Sequence, residues 1–326
     1  MTSPNPHSPY NPILQGPVLP TLLRLAAPNI ALILGQAAAS FVESYFIGRL
    51  GTDALAGSAL VFPLLMLMQM MSAGGMGGGI SSAVARALGR KSVSDAEALG
   101  LHAVVIALVL GGLFSLCLIP GGAAVYRAMG GSGAVLEAAV EYSNWVFAGA
   151  VFVWLLNSLA SVLRGAGNML APALVIVGGV FVLVPLSAIL IFGWGPLPAL
   201  GIAGAGIALS LYYAIGSAIL AALLVRGHSG IRLSFACSLR WPHFREILRV
   251  GAYSILTNIV TNLSVVVATV FVGRFGPAAL AGFGLGTRLE YLQVPISFGV
   301  GTALVAMIGR AVGAGDFKRE IGRAHV

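Results

Sequence analysis

Charge is scarce in this sequence. Acidic and basic residues make up 9% of its 326 residues, against roughly a quarter in a soluble domain. So few charges cannot cover the surface of an ordinary water-soluble fold. Cysteine is scarcer still. Cys117 sits in an apolar run and Cys237 in a basic loop, which places them on different elements, and no disulfide is expected. The N-terminal stretch MTSPNPHSPYNPILQGP has no basic segment leading into an apolar one, so it reads as a flexible tail and not a signal peptide. The histidines (His7, His102, His228, His243 and His325) are scattered among tail, span and loops. No metal-ligand spacing and no nucleophile–base constellation appears, so no catalytic residue, metal site or cofactor is expected. The net charge of +8 raises the question of nucleic acid, but nothing resembles a nucleic-acid module.

Apolar residues fill the space that charge leaves. They make up 58% of the chain and form runs of about 20 residues, the length that crosses a bilayer. The expected fold is an all-α polytopic membrane protein with eight spans, at about 21–48, 54–85, 96–119, 135–160, 170–193, 201–225, 246–273 and 279–309. Turn and breaker residues separate them, such as Gly89-Arg90-Lys91, Pro120-Gly121-Gly122 and Gly193-Trp194-Gly195-Pro196. Basic residues follow every second span: Arg86, Arg90 and Lys91; Arg164; Arg226, Arg232, Arg240, Arg245 and Arg249; Arg310, Lys318 and Arg319. The other loops hold only Arg49, Arg127 and Arg274. Even-numbered loops and the N-terminus are therefore expected to be cytoplasmic. This topology accounts for the positive charge without nucleic acid.

The chain repeats itself. FIGRLGTDALAG at 46–57 and FVGRFGPAALAG at 271–282 share eight of twelve residues at an offset of 225. Ala85-Arg86-Ala87-Leu88-Gly89 is echoed by Gly309-Arg310-Ala311-Val312-Gly313. Six spans lie between the copies. An even number means that both cross in the same direction, a parallel repeat of the kind found in transporters. The expected organisation is a cytoplasmic tail (1–20), a six-helix lobe (21–226), a basic cytoplasmic linker (227–245) and the first two helices of a second lobe (246–320). The last six residues, IGRAHV, are what ATCGGAAGAGCACACGTC encodes, a string matching a common sequencing-adapter end. Residues 321–326 are therefore expected to be a non-native end.

Several motifs together resemble the multidrug and toxic compound extrusion transporters. They are VESYFIGRLGTDALAG after the first span, VLRGAGN at 162–168, IFGWGPLPALGIAG at 191–204, and RLEYLQVP at 288–295 followed by GTALVA at 301–306. The resemblance covers about residues 20–319. It implies twelve helices in two six-helix lobes around a central cavity, of which eight are present. It also implies export of amphipathic, often cationic small molecules, driven by entry of H⁺ or Na⁺. The implied setting is a bacterial-type inner membrane, with the bilayer as surroundings and a monomeric chain. The family's first-span acid, usually Asp, falls on Glu43, and Gln36 and Asn157 match polar cavity positions of some members. The span 5 Asn and Asp of some members fall near Leu183 and Ser187, and the span 7 acid of others near Thr261. These departures leave the choice between H⁺ and Na⁺ open.

Glu43 also stands out from the residues alone. A charged group at mid-membrane costs roughly 3 kcal/mol on insertion scales, and such groups are functional by default. Low dielectric disfavours the charged form of a carboxyl group, so one in a span can take a proton from one side and release it to the other. Charged, it can hold a cation. Gln36 and Ser40 precede it on the same helical face, a polar stripe that suggests a wet cavity. The bland alternative is a carboxyl hydrogen-bonded in a helix contact or snorkelling to the nearby interface. Glu290 is a second candidate, with pairing to Arg288 as its alternative. Asn157, Asn258, Thr261 and Asn262 are polar groups within spans, with Asn258 and Asn262 one turn apart. They either line the cavity or bridge helices, the latter worth under about 1 kcal/mol each.

The run Gly74-Gly75-Met76-Gly77-Gly78-Gly79 lacks the Gly-Lys-Ser/Thr of a phosphate loop and reads as close helix packing or a hinge. Met66, Met68, Met70 and Met71 read as packed or lipid-facing residues, with a pliable drug surface as the alternative. Pro28, Pro63, Pro172, Pro185 and Pro295 are candidate kinks. The leading functional reading is a secondary antiporter using Glu43. The alternatives are a flippase for lipid-linked saccharides, disfavoured by the few basic residues in spans, and a non-transporting membrane fragment. The second repeat carries Ala268 where Glu43 stands, so the acid belongs to one lobe only.

Overall fold

The computed structural model describes residues 17–194, 198–227, 230–234, 238–273 and 297–315, without the side chains of residues 36, 38, 39, 258 and 261–273. The described residues are helical apart from short connections. In chain order the helices are α1 (Val18–Gly48), α2 (Thr52–Gln69), a π-helical segment (Met70–Met76), α3 (Gly77–Gly89), α4 (Val93–Ala128), α5 (Gly133–Ala148), α6 (Ala150–Gly165), α7 (Leu170–Phe192), α8 (Gly201–Val225), α9 (Trp241–Gly273) and α10 (Ser297–Gly313).

Five continuous segments are long and apolar enough to cross a membrane: Val18–Gly48, Thr52–Gly89, Val93–Ala128, Leu170–Phe192 and Gly201–Val225. They coincide with five of the first six expected spans. The fourth expected span, 135–160, is instead two helices, α5 and α6, bent by 46° at Gly149. The bend coincides with a close helix contact. A Cβ at Gly149 would come within 2.6 Å of the Ser210 Cβ on α8, so only glycine lets α8 approach here. Carbonyls beside the bend accept hydroxyls from neighbouring helices: Ser115 Oγ donates to Phe147 O (2.6 Å), Ser210 Oγ to Trp145 O (2.7 Å) and Ser217 Oγ to Phe152 O (2.9 Å). A membrane tolerates a broken helix only where neighbours re-satisfy its backbone. The helices run through Pro28, Pro63, Pro120 and Pro185.

Two connections are tied by backbone hydrogen bonds. After α6, Asn168 N–H donates to Leu163 O and Gly167 N–H to Arg164 O, with Gly167 at φ 88°. This is the left-handed cap that glycine favours. After α3 the same pair of bonds forms from Ser92 to Ala87 and from Lys91 to Leu88, but the left-handed residue is Lys91 (φ 62°). Ser92 then caps α4, its hydroxyl accepting from Asp95 N–H.

Helices α1–α8 pack into one bundle. α7 lies against α8 and α1, α2 against α5, and α6 against α4 and α8. The core is built on Trp154, Tyr126, Phe147, Leu99 and Leu159, all buried. The glycine run is where α9 crosses. A Cβ at Gly75 would sit 2.5 Å from Ile255, and one at Gly79 would sit 2.6 Å from the Ile247 carbonyl. The reading of this run as a close-packing surface therefore holds. α10 meets α1 through Leu22, Ala26, Ala303 and Met307, and Asn29 Nδ2 donates to Thr302 Oγ1 (2.9 Å). α10 also meets α3, where the echoed motifs touch. A Cβ at Gly89 would lie 2.8 Å from Gly313 Cα. Arg86 of α3 pairs with Glu246 of α9 (3.0 Å), and Arg310 of α10 donates to the Ala166 carbonyl.

The histidines are less scattered than they read in sequence. The first turn of α9 lies against α4 and brings the His102 and His243 rings within 5.0 Å. His102 is buried; its Nδ1 donates to Ala98 O (2.6 Å) and its Nε2 accepts from Arg240 N–H (2.9 Å). His243 Nε2 lies 3.8 Å from Asp95. Cys117 is exposed, whereas Cys237 lies outside the described residues, as do residues 1–16 and 316–326. Met68 is buried while Met66 and Met70 are exposed.

Candidate functional site

A polar cluster lies inside the α1–α8 bundle, with groups from α1, α2, the π-helical segment, α5, α6 and α8. Glu43 stands near the C-terminal end of α1, partly buried. Tyr142 of α5 donates its hydroxyl to Glu43 Oε1 over 3.2 Å. Tyr213 of α8 lies within electrostatic range of both Glu43 and Tyr142. Gln69, the last residue of α2, donates from Nε2 to the Tyr213 hydroxyl. Asn157 of α6 is buried, and its Nδ2 donates to Gln69 Oε1 (3.0 Å) and to Ser72 Oγ (2.8 Å). Ser72 belongs to the π-helical segment. A π-turn widens the helix and re-aims the side chains that follow, and here it sets Gln69 and Ser72 side by side against Asn157.

The cluster continues along α6. Ser161 Oγ donates to Asn157 O (2.7 Å) and accepts from Arg164 (2.7 Å). Arg164 is buried at the end of α6, where the helix dipole favours a cation. Among the described residues no cation lies within ion-pair distance of Glu43. An acid held by a phenol, next to a phenol–amide–amide chain, can bind a proton or a small cation.

Two of the residues singled out in sequence, Glu43 and Asn157, belong to one cluster. The Gln36 side chain and those of Asn258, Thr261 and Asn262 lie outside the described residues, as does all of Glu290. Leu183 and Ser187, aligned with the span 5 polar positions of some relatives, are both buried on α7. Sequence reading missed Gln69, Ser72, Tyr142 and Tyr213. The available signal was Gln69, an amide alone in the apolar run LVFPLLMLMQMM.

The described contacts of α9 and α10 with the bundle reach from the helix ends expected to be cytoplasmic up to the π-helical segment. They involve the first half of α1 up to Ile30, the π-helical segment and α3, the stretch of α4 around His102, and the Arg86 and Arg310 contacts. Glu43 stands thirteen residues beyond Ile30 on α1, about 20 Å along a helix that rises 1.5 Å per residue.

The sequence profile of the MatE family matches residues 28–189 and 254–322. The chain belongs to the MatE family. Its two matched blocks begin 226 residues apart (28 to 254), close to the 225-residue offset of the repeat. The chain is 26% identical over 312 residues to the FAD transporter of Shewanella oneidensis, covering 94% of this chain and 68% of that protein. It is 24% identical over 302 residues to a protein of Thermotoga maritima named "Probable multidrug resistance protein NorM", covering 92% of this chain and 65% of the relative. Among solved structures, a MOP superfamily transporter from Pyrococcus furiosus superposes with a TM-score of 0.86 at 26% identity, over 96% of this chain and 69% of the other. This MatE chain thus spans about two thirds of the length of the relatives it matches.

Proposed function

We propose that the protein is a secondary active antiporter that exports amphipathic, cationic small molecules in exchange for H⁺ or Na⁺. Glu43 is the shared site. The observation that carries this reading is the hydrogen bond from Tyr142 to Glu43 beside the Tyr213–Gln69–Asn157–Ser72 chain. A carboxyl group inside an apolar bundle, with no ion-pair partner among the described residues, is costly without a role. Loading Glu43 with a proton or Na⁺ removes its attraction for a cationic substrate, so ion entry and substrate exit compete for one charge.

Alternating access fits the same reading. On α1 the described contacts of α10 reach only to Ile30, on the side that the basic residues mark as cytoplasmic. The arrangement supports an outward-facing state with the cytoplasmic side closed. The Arg86–Glu246, Asn29–Thr302 and Arg310–Ala166 contacts and the Gly89–Gly313 crossing would separate on inward opening. A lipid-linked saccharide flippase is less well supported, because among the described residues no basic group pairs with Glu43 to hold a phosphate.

The test is ion-driven substrate efflux by the full-length gene product in proteoliposomes, with proton and sodium gradients imposed separately. The antiporter reading expects efflux under one gradient, abolished in Glu43→Gln. Efflux by Glu43→Gln equal to wild type under both gradients would sink it.

A further inference from the structure

α9 carries an exposed stripe that the transport reading leaves unused. Trp241, Arg245, Arg249, Tyr253 and Leu256 follow one another at intervals of four, four, four and three residues, so they share one helical face. All five are exposed, Trp241 at 70% and Tyr253 at 72% of their surface. At the Trp241 end the stripe borders a cavity of about 540 Å³, walled on its far side by Arg86 of α3.

The charge of this cavity is one-sided. Its wall holds three arginines and one carboxylate, Glu246, a balance of +2. Glu246 is engaged by Arg86. Among the described residues no carboxylate reaches Arg245 or Arg249. Two guanidinium groups one turn apart are about 6 Å apart along the axis, a spacing that can grip the oxygens of one phosphate from both sides.

The surroundings indicate which phosphate. A soluble anion needs only the arginines. Here the two cations lie between an exposed indole and an exposed phenol, and the stripe continues into the apolar Leu256. Trp and Tyr favour the headgroup level of a bilayer, and basic pockets between spanning helices on the cytoplasmic side suit anionic headgroups. We propose that the Arg86–Arg245–Arg249 cavity is a binding site for an anionic phospholipid. Its phosphate lies between Arg245 and Arg249, its headgroup is beside Trp241, and its acyl chain runs along Tyr253 and Leu256. The bound lipid bridges α3 and α9 at the end where they meet.

The test is lipid retention by native mass spectrometry on the full-length gene product. The protein is purified in detergent and titrated with phosphatidylglycerol or phosphatidylcholine of matched chains. Wild type is expected to retain phosphatidylglycerol preferentially. Arg245→Gln and Arg249→Gln should each weaken it about fivefold, and the double variant about 25-fold, with phosphatidylcholine unchanged. Arg245→Lys/Arg249→Lys should restore most of the preference, which separates lost charge from lost folding. Equal retention of both lipids by wild type and the double variant would overturn the site. Displacement of the lipid by millimolar inorganic phosphate would overturn the lipid assignment in favour of a soluble phosphate ligand.

Discussion

Tyr142 and Glu43 are joined across the bundle, the phenol donating to the carboxyl oxygen over 3.2 Å. The bond links α5, which leads into the Gly149 bend, to the end of α1. A change at the carboxyl therefore reaches two helices directly, and a third through the field felt by Tyr213.

Replacing Tyr142 by Phe removes the donor and keeps the ring. A hydrogen bond to a charged group is worth about 1.5–3 kcal/mol, so ion-coupled efflux is expected to fall about tenfold or more, with a modest fall in Tm as the Glu43 carboxyl loses this donor. Transport kinetics under a fixed ion gradient check this. Unchanged coupled efflux would show that the contact is structural only.

Gln69 and Asn157 form the other arm of the cluster. A double-mutant cycle with Gln69→Leu and Asn157→Leu, read by reversible unfolding in detergent, is expected to give a coupling of about 0.6 kcal/mol, the usual size for polar pairs between membrane helices. Additive effects would contradict a direct interaction.

The glycine run offers a matched pair. Gly79→Val pushes a side chain into the Ile247 carbonyl and the Gly251 backbone, and α9 must move away. A loss of several degrees in Tm is expected. Gly78 has open space at its Cβ position, and Gly78→Ala is expected to be neutral or stabilising by up to about 1 kcal/mol. Equal effects at both positions would refute the close-crossing account.

Lys91 holds a left-handed conformation at a cap where glycine is preferred. Lys91→Gly removes about 1 kcal/mol of backbone strain. A modest rise in Tm is expected, with transport unaffected. A fall would mean that the lysine side chain contributes more than its backbone costs.

Much of the fold was legible because span length and breaker residues are local properties. The helices at Val18–Gly48, Leu170–Phe192 and Gly201–Val225 fall where the apolar runs predict them. The Gly149 bend was not legible, because one glycine in an apolar run looks like any other until Ser210 of another helix is known to press on it. The site was half legible. Glu43 and Asn157 are conspicuous as polar groups in spans. Tyr142 and Tyr213 are ordinary tyrosines in sequence and acquire meaning only when three helices bring them to one carboxyl. The approach of His102 to His243 likewise depends on the first turn of α9 packing on α4, which no local pattern announces.

The most direct test of the central role of Glu43 uses the full-length gene product in proteoliposomes with a fluorescent cationic substrate. An inward-directed proton or sodium gradient is imposed, and wild type is compared with Glu43→Gln at matched protein content and Tm. Gradient-driven efflux by wild type and none by Glu43→Gln is the predicted result. Efflux by Glu43→Gln with wild-type rate and ion dependence would contradict it.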